Sequence, residues 1–365
     1  MRIGIVNDTG LAREALRRVV LASSEHQVAW TASDGAEAIA LARVDRPDLI
    51  LMDLFMPGID GVEATRRIMG ESPCAILVVT STVTGHLSKV YQAMGYGALD
   101  ALDTPTLAPR GQITGASLLL HKIEIIGKLL GKSTERMQDR HDLAFSSSSA
   151  IRPSRAEMIL EPLVVVGAST GGPNALAEVL THLPTTLEAA IIIVQHVDAA
   201  FAPGLGQWLS EQGRRRVTLV VEGQQPSARD ILISGTNDHL IMGEDRRLHY
   251  SVEPREVSYR PSVDVFFASL AKNWPRPGVA ALLTGMGRDG AVGLLKLRGL
   301  KWRTIAQDES SSVVWGMPKA AVEIGAAEEI LPLSEIAEAI ERLVGKDARS
   351  ISGVSATAAT AAEKL

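Results

Sequence analysis

The 365-residue chain carries 37 Lys and Arg against 42 Asp and Glu, a net charge of −5, so it lacks the overall basic excess of a nucleic-acid-binding protein. Hydrophobic residues at 46% and charged residues at 22% exclude a disordered chain, and the one cysteine, Cys74, excludes a disulfide framework and a cysteine-based zinc cluster. At roughly 100–200 residues per domain, the length fits two domains. No apolar run reaches the ~18 residues of a membrane span. The opening MRIGIVND meets an acid at Asp8 before any long apolar stretch, unlike a secretory signal. A cytoplasmic protein without direct membrane insertion is the expectation.

The first part of the chain alternates short apolar strands with helical patterns. IGIVND is followed by LAREALRRVVLAS, QVAWTAS by GAEAIALARV, DLILMD by GVEATRRIMG, and AILVVTST by LSKVYQAMG. A short strand, ALDAL, precedes a helix around GASLLLHKIEIIGKLL. Such alternation predicts right-handed βαβ units around a parallel sheet over residues 1–127. Residues 128–158, with a serine run, a proline and mixed charge, read as a linker. Strand and helix patterns resume over 159–345 (LVVVGAS, NALAEVLTHL, AAIIIVQH, LGQWLSEQG, VTLVV), pass through a polar stretch, DILISGTNDHLIMGEDRRLHY, that reads as a hairpin, and continue with VDVFFASLAKN, VAALLTGMG, AVGLLKLRG and RTIAQD to LSEIAEAIERLVG. This is a second α/β domain with a doubly wound, mostly parallel sheet. Residues 346–365 are small and polar and read as a disordered tail.

Ligands of open parallel sheets sit at the carboxyl ends of the strands. Asp8 follows the first strand, Asp53 closes the third and Thr80 closes the fourth, so three oxygen-bearing side chains gather at one rim. Paired carboxylates suit Mg²⁺ and phosphoryl chemistry. On spacing alone they equally suit ordinary helix caps. The segment LMDLFMPGIDGVEATRRI resembles the phosphoacceptor segment of two-component receiver domains, and the order Asp8, Asp53, Thr80 matches that family. The resemblance implies a flavodoxin-like fold, phosphorylation of Asp53, Mg²⁺ held by Asp8, Asp53 and the main-chain carbonyl of Phe55, and a phosphoryl contact from Thr80. Three positions depart from that pattern: Asn7 where receivers carry a second acid, Thr104 where they carry a lysine, and Ala101 where they carry an aromatic residue.

In the second domain, VVVGASTGGP ends a strand in a glycine-rich turn. No lysine follows, as a P-loop would require, and the glycines at 167, 171 and 172 do not fit a dinucleotide fingerprint. Residues 167–171 do fit G-x-S-x-G, which exposes a serine on a sharp strand-to-helix turn; a helix-capping serine is the simpler alternative. A nucleophile needs a base, and the base needs an orienting acid. His196 ends the next strand and Asp289 follows a later one, so Ser169, His196 and Asp289 are all expected at one rim. Their chain order differs from that of the α/β-hydrolases, which points to another fold.

GASTGGPNAL, VQH, ILISGTNDHL, YRPSVDVFFASLA and LLTGMGRDGAVGL resemble the CheB-type protein-glutamate methylesterases, whose order of receiver, linker and esterase the whole chain follows. The Asn7-Asp8 and ALDALDTP variants resemble the WspF branch of that family. The resemblance implies a phosphorylation-regulated methylesterase acting on chemoreceptor glutamate γ-methyl esters, with a second, deamidating activity on glutamine. It implies Ser169, His196 and Asp289 as the triad, the N–H groups of Thr170 and Met286 as the oxyanion hole, a chemosensory histidine kinase as phosphodonor, and no cofactor for the esterase step. A receptor-docking scaffold without catalysis is the alternative.

Overall fold

The computed structural model describes residues 1–81, 87–107, 113–130, 161–257 and 259–345. The expected linker, apart from its start, and the expected tail lie outside the described residues.

The first unit is a five-stranded parallel sheet in the order β2-β1-β3-β4-β5. Its strands are β1 (Arg2–Val6), β2 (Gln27–Ala32), β3 (Leu49–Met52), β4 (Ala75–Thr80) and β5 (Asp100–Asp103). The helices between them are α1 (Gly10–Leu21), α2 (Gly35–Val44), α3 (Gly61–Glu71) and α4 (Leu87–Gly95). A short ribbon, β6 (Thr106–Leu107) with β7 (Ile113–Thr114), leads into α5 (Ala116–Leu129). The strands are near-continuous apolar runs because helices cover both faces. Ile3, Ile5, Leu49, Leu51 and Leu77 pack with Leu16 and Val19 of α1 and Leu119 and Ile123 of α5. The alternate residues Val6, Ile50, Met52, Ile76 and Val78 belong to the core under α2, α3 and α4. The strand order is the flavodoxin-like one, with its switch point between β1 and β3.

The second unit holds seven parallel strands in the order β10-β11-β9-β8-β14-β15-β16. They are β8 (Leu163–Ala168), β9 (Ala190–Gln195), β10 (Val217–Leu219), β11 (Ile231–Ile233), β14 (Val279–Leu282), β15 (Arg303–Gln307) and β16 (Glu329–Leu331). The helices are α6 (Gly172–His182), α7 (Ala202–Gly213), α8 (Val263–Asn273), α9 (Ala291–Gly299), α10 (Met317–Glu323) and α11 (333–345). The polar stretch expected as one hairpin is divided. Only β12 (His239–Met242) and β13 (Leu248–Ser251) pair as a hairpin, whereas Ile231–Ile233 joins the main sheet parallel to β9. The reason is burial: Ile231, Leu232 and Ile233 have apolar cover on both faces, which a surface hairpin does not offer. The chain leaves β8 towards β9 and later returns to β8's other edge as β14, so the switch point lies between β8 and β14.

The two units touch through α4, which lies against α6 and α7. The Tyr91 ring stacks on Trp208 with centroids 5.9 Å apart, and its hydroxyl donates to the Phe201 carbonyl at 2.9 Å. Asn174, in the first turn of α6, donates from Nδ2 to the Met94 carbonyl at 2.6 Å. The first unit therefore reaches the start of the helix that follows the glycine-rich turn. An aromatic pair of this kind contributes about 0.5–1.5 kcal/mol beyond its buried area. Tyr91→Ala is expected to loosen this contact without unfolding either sheet. The readout is a red shift of Trp208 emission, isolated by difference against Trp208→Phe; an unshifted spectrum would contradict the contact.

Candidate active site

Ser169, His196 and Asp289 come together at the carboxyl edge of the second sheet. β8 and β9 are adjacent, and the His196 N–H donates to the Ala168 carbonyl at 3.1 Å, which sets the two loops side by side. The Ser169 N–H donates to the Thr284 carbonyl across the switch point at 3.0 Å. Gln195 Nε2 donates to the Ser169 carbonyl at 2.9 Å, and the Gly172 N–H donates to the same oxygen at 2.7 Å. Ser169 is not a helix cap: the N-cap of α6 is Gly171, at φ +78°, with Pro173 in the first turn. A Cβ on Gly285 would sit 2.8 Å from the Ser169 Cβ, so the return loop after β14 approaches the serine more closely than any side chain allows.

His196 Nε2 lies 2.7 Å from Asp289 Oδ2. An ionised carboxylate only accepts, so Nε2 carries the proton and Nδ1 holds the lone pair. Nδ1 is buried and has no hydrogen-bond partner among the described residues. Tyr259 covers one face of the imidazole, with centroids 5.0 Å apart and planes within 4°. Asp289 also accepts from Ser262 Oγ at 2.7 Å, from the Val263 N–H at 2.7 Å and from the Asp264 N–H at 3.0 Å. Burial would raise its pKa, but His196, Ser262 and the Asp264 N–H more than offset this and hold it below the ordinary 3.8.

Thr170 is buried and Met286 half-buried, on facing loops. The Thr284 hydroxyl donates to the Thr170 carbonyl at 2.9 Å and accepts from the Val314 N–H at 2.9 Å. Among the described residues, the N–H groups of Thr170 and Met286 have no protein acceptor.

The first rim gathers Asn7, Asp8, Asp53, Phe55, Ser81 and Thr104 around one cleft. Neither Asp8 nor Asp53 caps a helix: the N-cap position of α1 is Thr9, and Asp60 caps α3 by accepting from the Glu63 N–H. Asp53 Oδ1 accepts from Thr80 Oγ1 at 3.0 Å and from the Phe55 N–H at 3.3 Å. Asp53 Oδ2 accepts from Asn7 Nδ2 at 2.8 Å. Burial raises the Asp53 pKa, and the charge of Asp8 pushes the same way. Two carboxylates and the Phe55 carbonyl are hard oxygen donors of the kind Mg²⁺ takes alongside water. Among the described residues no larger His, Cys, Asp or Glu cluster could hold a metal. The donor set therefore fits a sparsely ligated Mg²⁺, with Asn7 supplying an amide where a third carboxylate would stand. Ala101 lies in β5 and supplies no aromatic ring, whereas Tyr91 on α4 lies at the contact between the units.

Sequence reasoning missed Ser262, His239, Tyr259, Gln195 and Thr284. Ser262 before an apolar run was readable as the cap of α8, and its Oγ does accept from the Val265 N–H at 3.3 Å. Its bond to Asp289 spans 27 residues and left no local trace.

The response regulator receiver domain model matches residues 3–110 and the CheB methylesterase model residues 164–340. A receiver joined to a CheB methylesterase domain is thus the class that fold and matches define. Protein-glutamate methylesterase/protein-glutamine glutaminase 1 of Bordetella avium (strain 197N) is 49% identical over 96% of this chain and 99% of that protein. The like-named protein 4 of Burkholderia thailandensis is 50% identical over 95% and 98%, and protein 3 of Pseudomonas aeruginosa 48% over 92% and 98%. The chain belongs to the protein-glutamate methylesterase/protein-glutamine glutaminase family. Among the described residues no helix is long and apolar enough to cross a membrane.

Two outcomes follow from these geometries. Asp264 is buried beside Asp289, and burial, then the neighbouring charge, raise its pKa from 3.8 to about 7. The folded state then holds a proton that the unfolded chain has released, so stability is full below about 4 and falls as pH rises towards about 7. Asp264→Asn, which keeps an oxygen for the Gly293 N–H at 2.6 Å, is expected to flatten that slope. Denaturant midpoints at about pH 5 and about pH 8 test it, and an unaltered slope would remove Asp264 as its source. In the first cleft, Asn7→Asp replaces a donor on Asp53 with a third carboxylate and is expected to tighten Mg²⁺ about tenfold, measured calorimetrically. Unchanged affinity would mean that residue 7 does not face the ion.

Proposed function

We propose that this chain is a phosphorylation-regulated protein-glutamate methylesterase whose substrates are glutamate γ-methyl esters on chemoreceptor helices, and that it deamidates receptor glutamines at the same site. The carrying observation is the His196–Asp289 pair at 2.7 Å, with an unpartnered Nδ1, on the loop beside the one that carries Ser169. The names of its relatives supply the substrate class.

In this reading His196 Nδ1 takes the Ser169 hydroxyl proton as Oγ attacks the ester carbonyl. The imidazolium so formed is stabilised by Asp289. The N–H groups of Thr170 and Met286 receive the developing oxyanion, a contribution of about 3–4 kcal/mol per donor to the barrier. Collapse breaks the C–O bond, and His196 returns its proton to the departing methoxy group, releasing methanol. Water, deprotonated by the same nitrogen, then hydrolyses the acyl-enzyme to the glutamate carboxylate and restores Ser169. With glutamine the leaving group is ammonia. No step calls on a metal.

Asp53 is the phosphoacceptor in this reading, receiving the phosphoryl group from a chemosensory histidine kinase, and Thr80 hydrogen-bonds the phosphoryl oxygens. Asp8, Asp53 and the Phe55 carbonyl would hold Mg²⁺, which would supply neutralisation of the phosphoryl charge. The unphosphorylated receiver docks through α4 on α6 and α7 beside the site, and phosphorylation shifts the population away from that arrangement.

Ser169→Ala is expected to abolish methanol release from methylated receptor while the melting temperature stays within a few degrees. Asp289→Asn is expected to cost on the order of 10⁴ in kcat, because the wrong tautomer is held. Full turnover in purified Ser169→Ala would refute the nucleophile. Phosphate incorporation persisting in Asp53→Ala would refute the acceptor.

A further inference from the structure

Asp289 has about four lone-pair sites, and all are used. Oδ2 takes His196 Nε2 and the Val263 N–H; Oδ1 takes Ser262 Oγ and the Asp264 N–H. Two of these donors are main-chain groups of the first turn of α8. Besides His196, Ser262 is the only side chain donating to this carboxylate among the described residues.

A serine at an N-cap ordinarily serves as acceptor for the helix. Here that contact is long, 3.3 Å to the Val265 N–H, while the donated bond to Asp289 is 2.7 Å, the length of a charge-assisted O–H···O⁻ bond. The hydroxyl is thus better placed for the carboxylate than for the helix. Ser262 is itself fixed from behind. It is fully buried, and its N–H donates to Nδ1 of the buried His239 at 3.2 Å. Since that nitrogen accepts, His239 Nε2 carries the proton and donates to the Pro254 carbonyl at 3.2 Å. The line Pro254–His239–Ser262–Asp289–His196 is continuous.

We propose that Ser262 is a positioning residue for the esterase reaction, orienting His196 through Asp289; this rests on the triad assignment above. Without the hydroxyl, Oδ1 keeps one donor at 3.0 Å, the carboxylate is less restrained about its Cβ–Cγ bond, and Oδ2 moves off the axis of Nε2. The ring then turns Nδ1 away from Ser169. Substrate binding is untouched, so the loss falls on kcat.

Ser262→Ala and Ser262→Gly distinguish this role from helix capping. Both remove the donor, but glycine caps nearly as well as serine and alanine does not. Positioning predicts that both variants lose about tenfold in kcat with KM within about twofold. The acid limb of kcat/KM is expected to shift, since the carboxylate facing the imidazolium has lost both a donor and its alignment. Asp264 itself titrates at about 7, so the profile is repeated in Asp264→Asn. The low-field proton resonance of His196 Nε2–H, assigned by its absence in His196→Gln, is expected to move upfield in both variants. Should both unfold at the assay temperature, Ser262→Cys, close in volume and a weak donor, is read in the same way.

Wild-type kcat and pH profile in both truncations would overturn the proposal. So would a loss in alanine that glycine does not share, or a loss with the acid limb and the proton resonance unmoved. If Ser169→Ala and Asp289→Asn are inactive while Ser262→Ala and Ser262→Gly are normal, only the role of Ser262 fails. If Ser169→Ala is active, the triad itself fails.

Discussion

A carboxylate buried as deeply as Asp289 survives in its ionised form only if its lone pairs are filled, because removing a charge from water costs several kcal/mol after relaxation. The protein meets that demand with donors from two places: the imidazole after β9 and the first turn of α8 with its cap. The helix end contributes its N–H groups and its positive dipole end. One side chain thereby ties the loop after β14, the loop after β9 and the start of α8 into one unit. The catalytic geometry and the anchoring of α8 are consequences of the same requirement. Burial first, and the neighbouring charge of Asp289 second, raise the pKa of Asp264, one residue into α8.

The second constraint is the approach of backbones at the switch point. The turn after β8 and the loop after β14 meet where Gly171 and Gly285 leave no room for side chains, and Gly316 presses against the carbonyl of Gly285, where an added Cβ would come within 2.8 Å. The N–H groups of Thr170 and Met286, on these two loops, have no protein acceptor among the described residues. Preorganised donors need no reorganisation during reaction, which is where such sites draw most of their effect.

In the receiver cleft, Asn7 changes the balance of charge. Its amide donates to Asp53, so part of the stabilisation that a cation would give is already present. The buried carboxylate is held by Asn7, Thr80 and the Phe55 N–H before any ion binds. Thr104 lines the same cleft but brings only a neutral hydroxyl. The contact to the second unit runs through Tyr91 on α4 rather than through position 101.

Local sequence determined the two parallel sheets, since short apolar strands alternating with amphipathic helices have few other ways to bury both faces. It also placed Ser169, His196, Asp8, Asp53 and Thr80 at or beside strand ends, because a strand's end is fixed by its own hydrophobic run, and Asp289 in the loop after β14. It misassigned Ile231–Ile233, a short apolar run whose partner strand lies far away in the chain, and gave no sign of β16 or α10. Whether Asp8 and Asp53 were caps, which nitrogen of His196 meets Asp289, and that Ser262 bonds to Asp289 were decided by tertiary structure alone. Each depends on the distance between groups from separate elements, and hydrogen bonds of 2.7–3.0 Å carry no periodic signature along the chain.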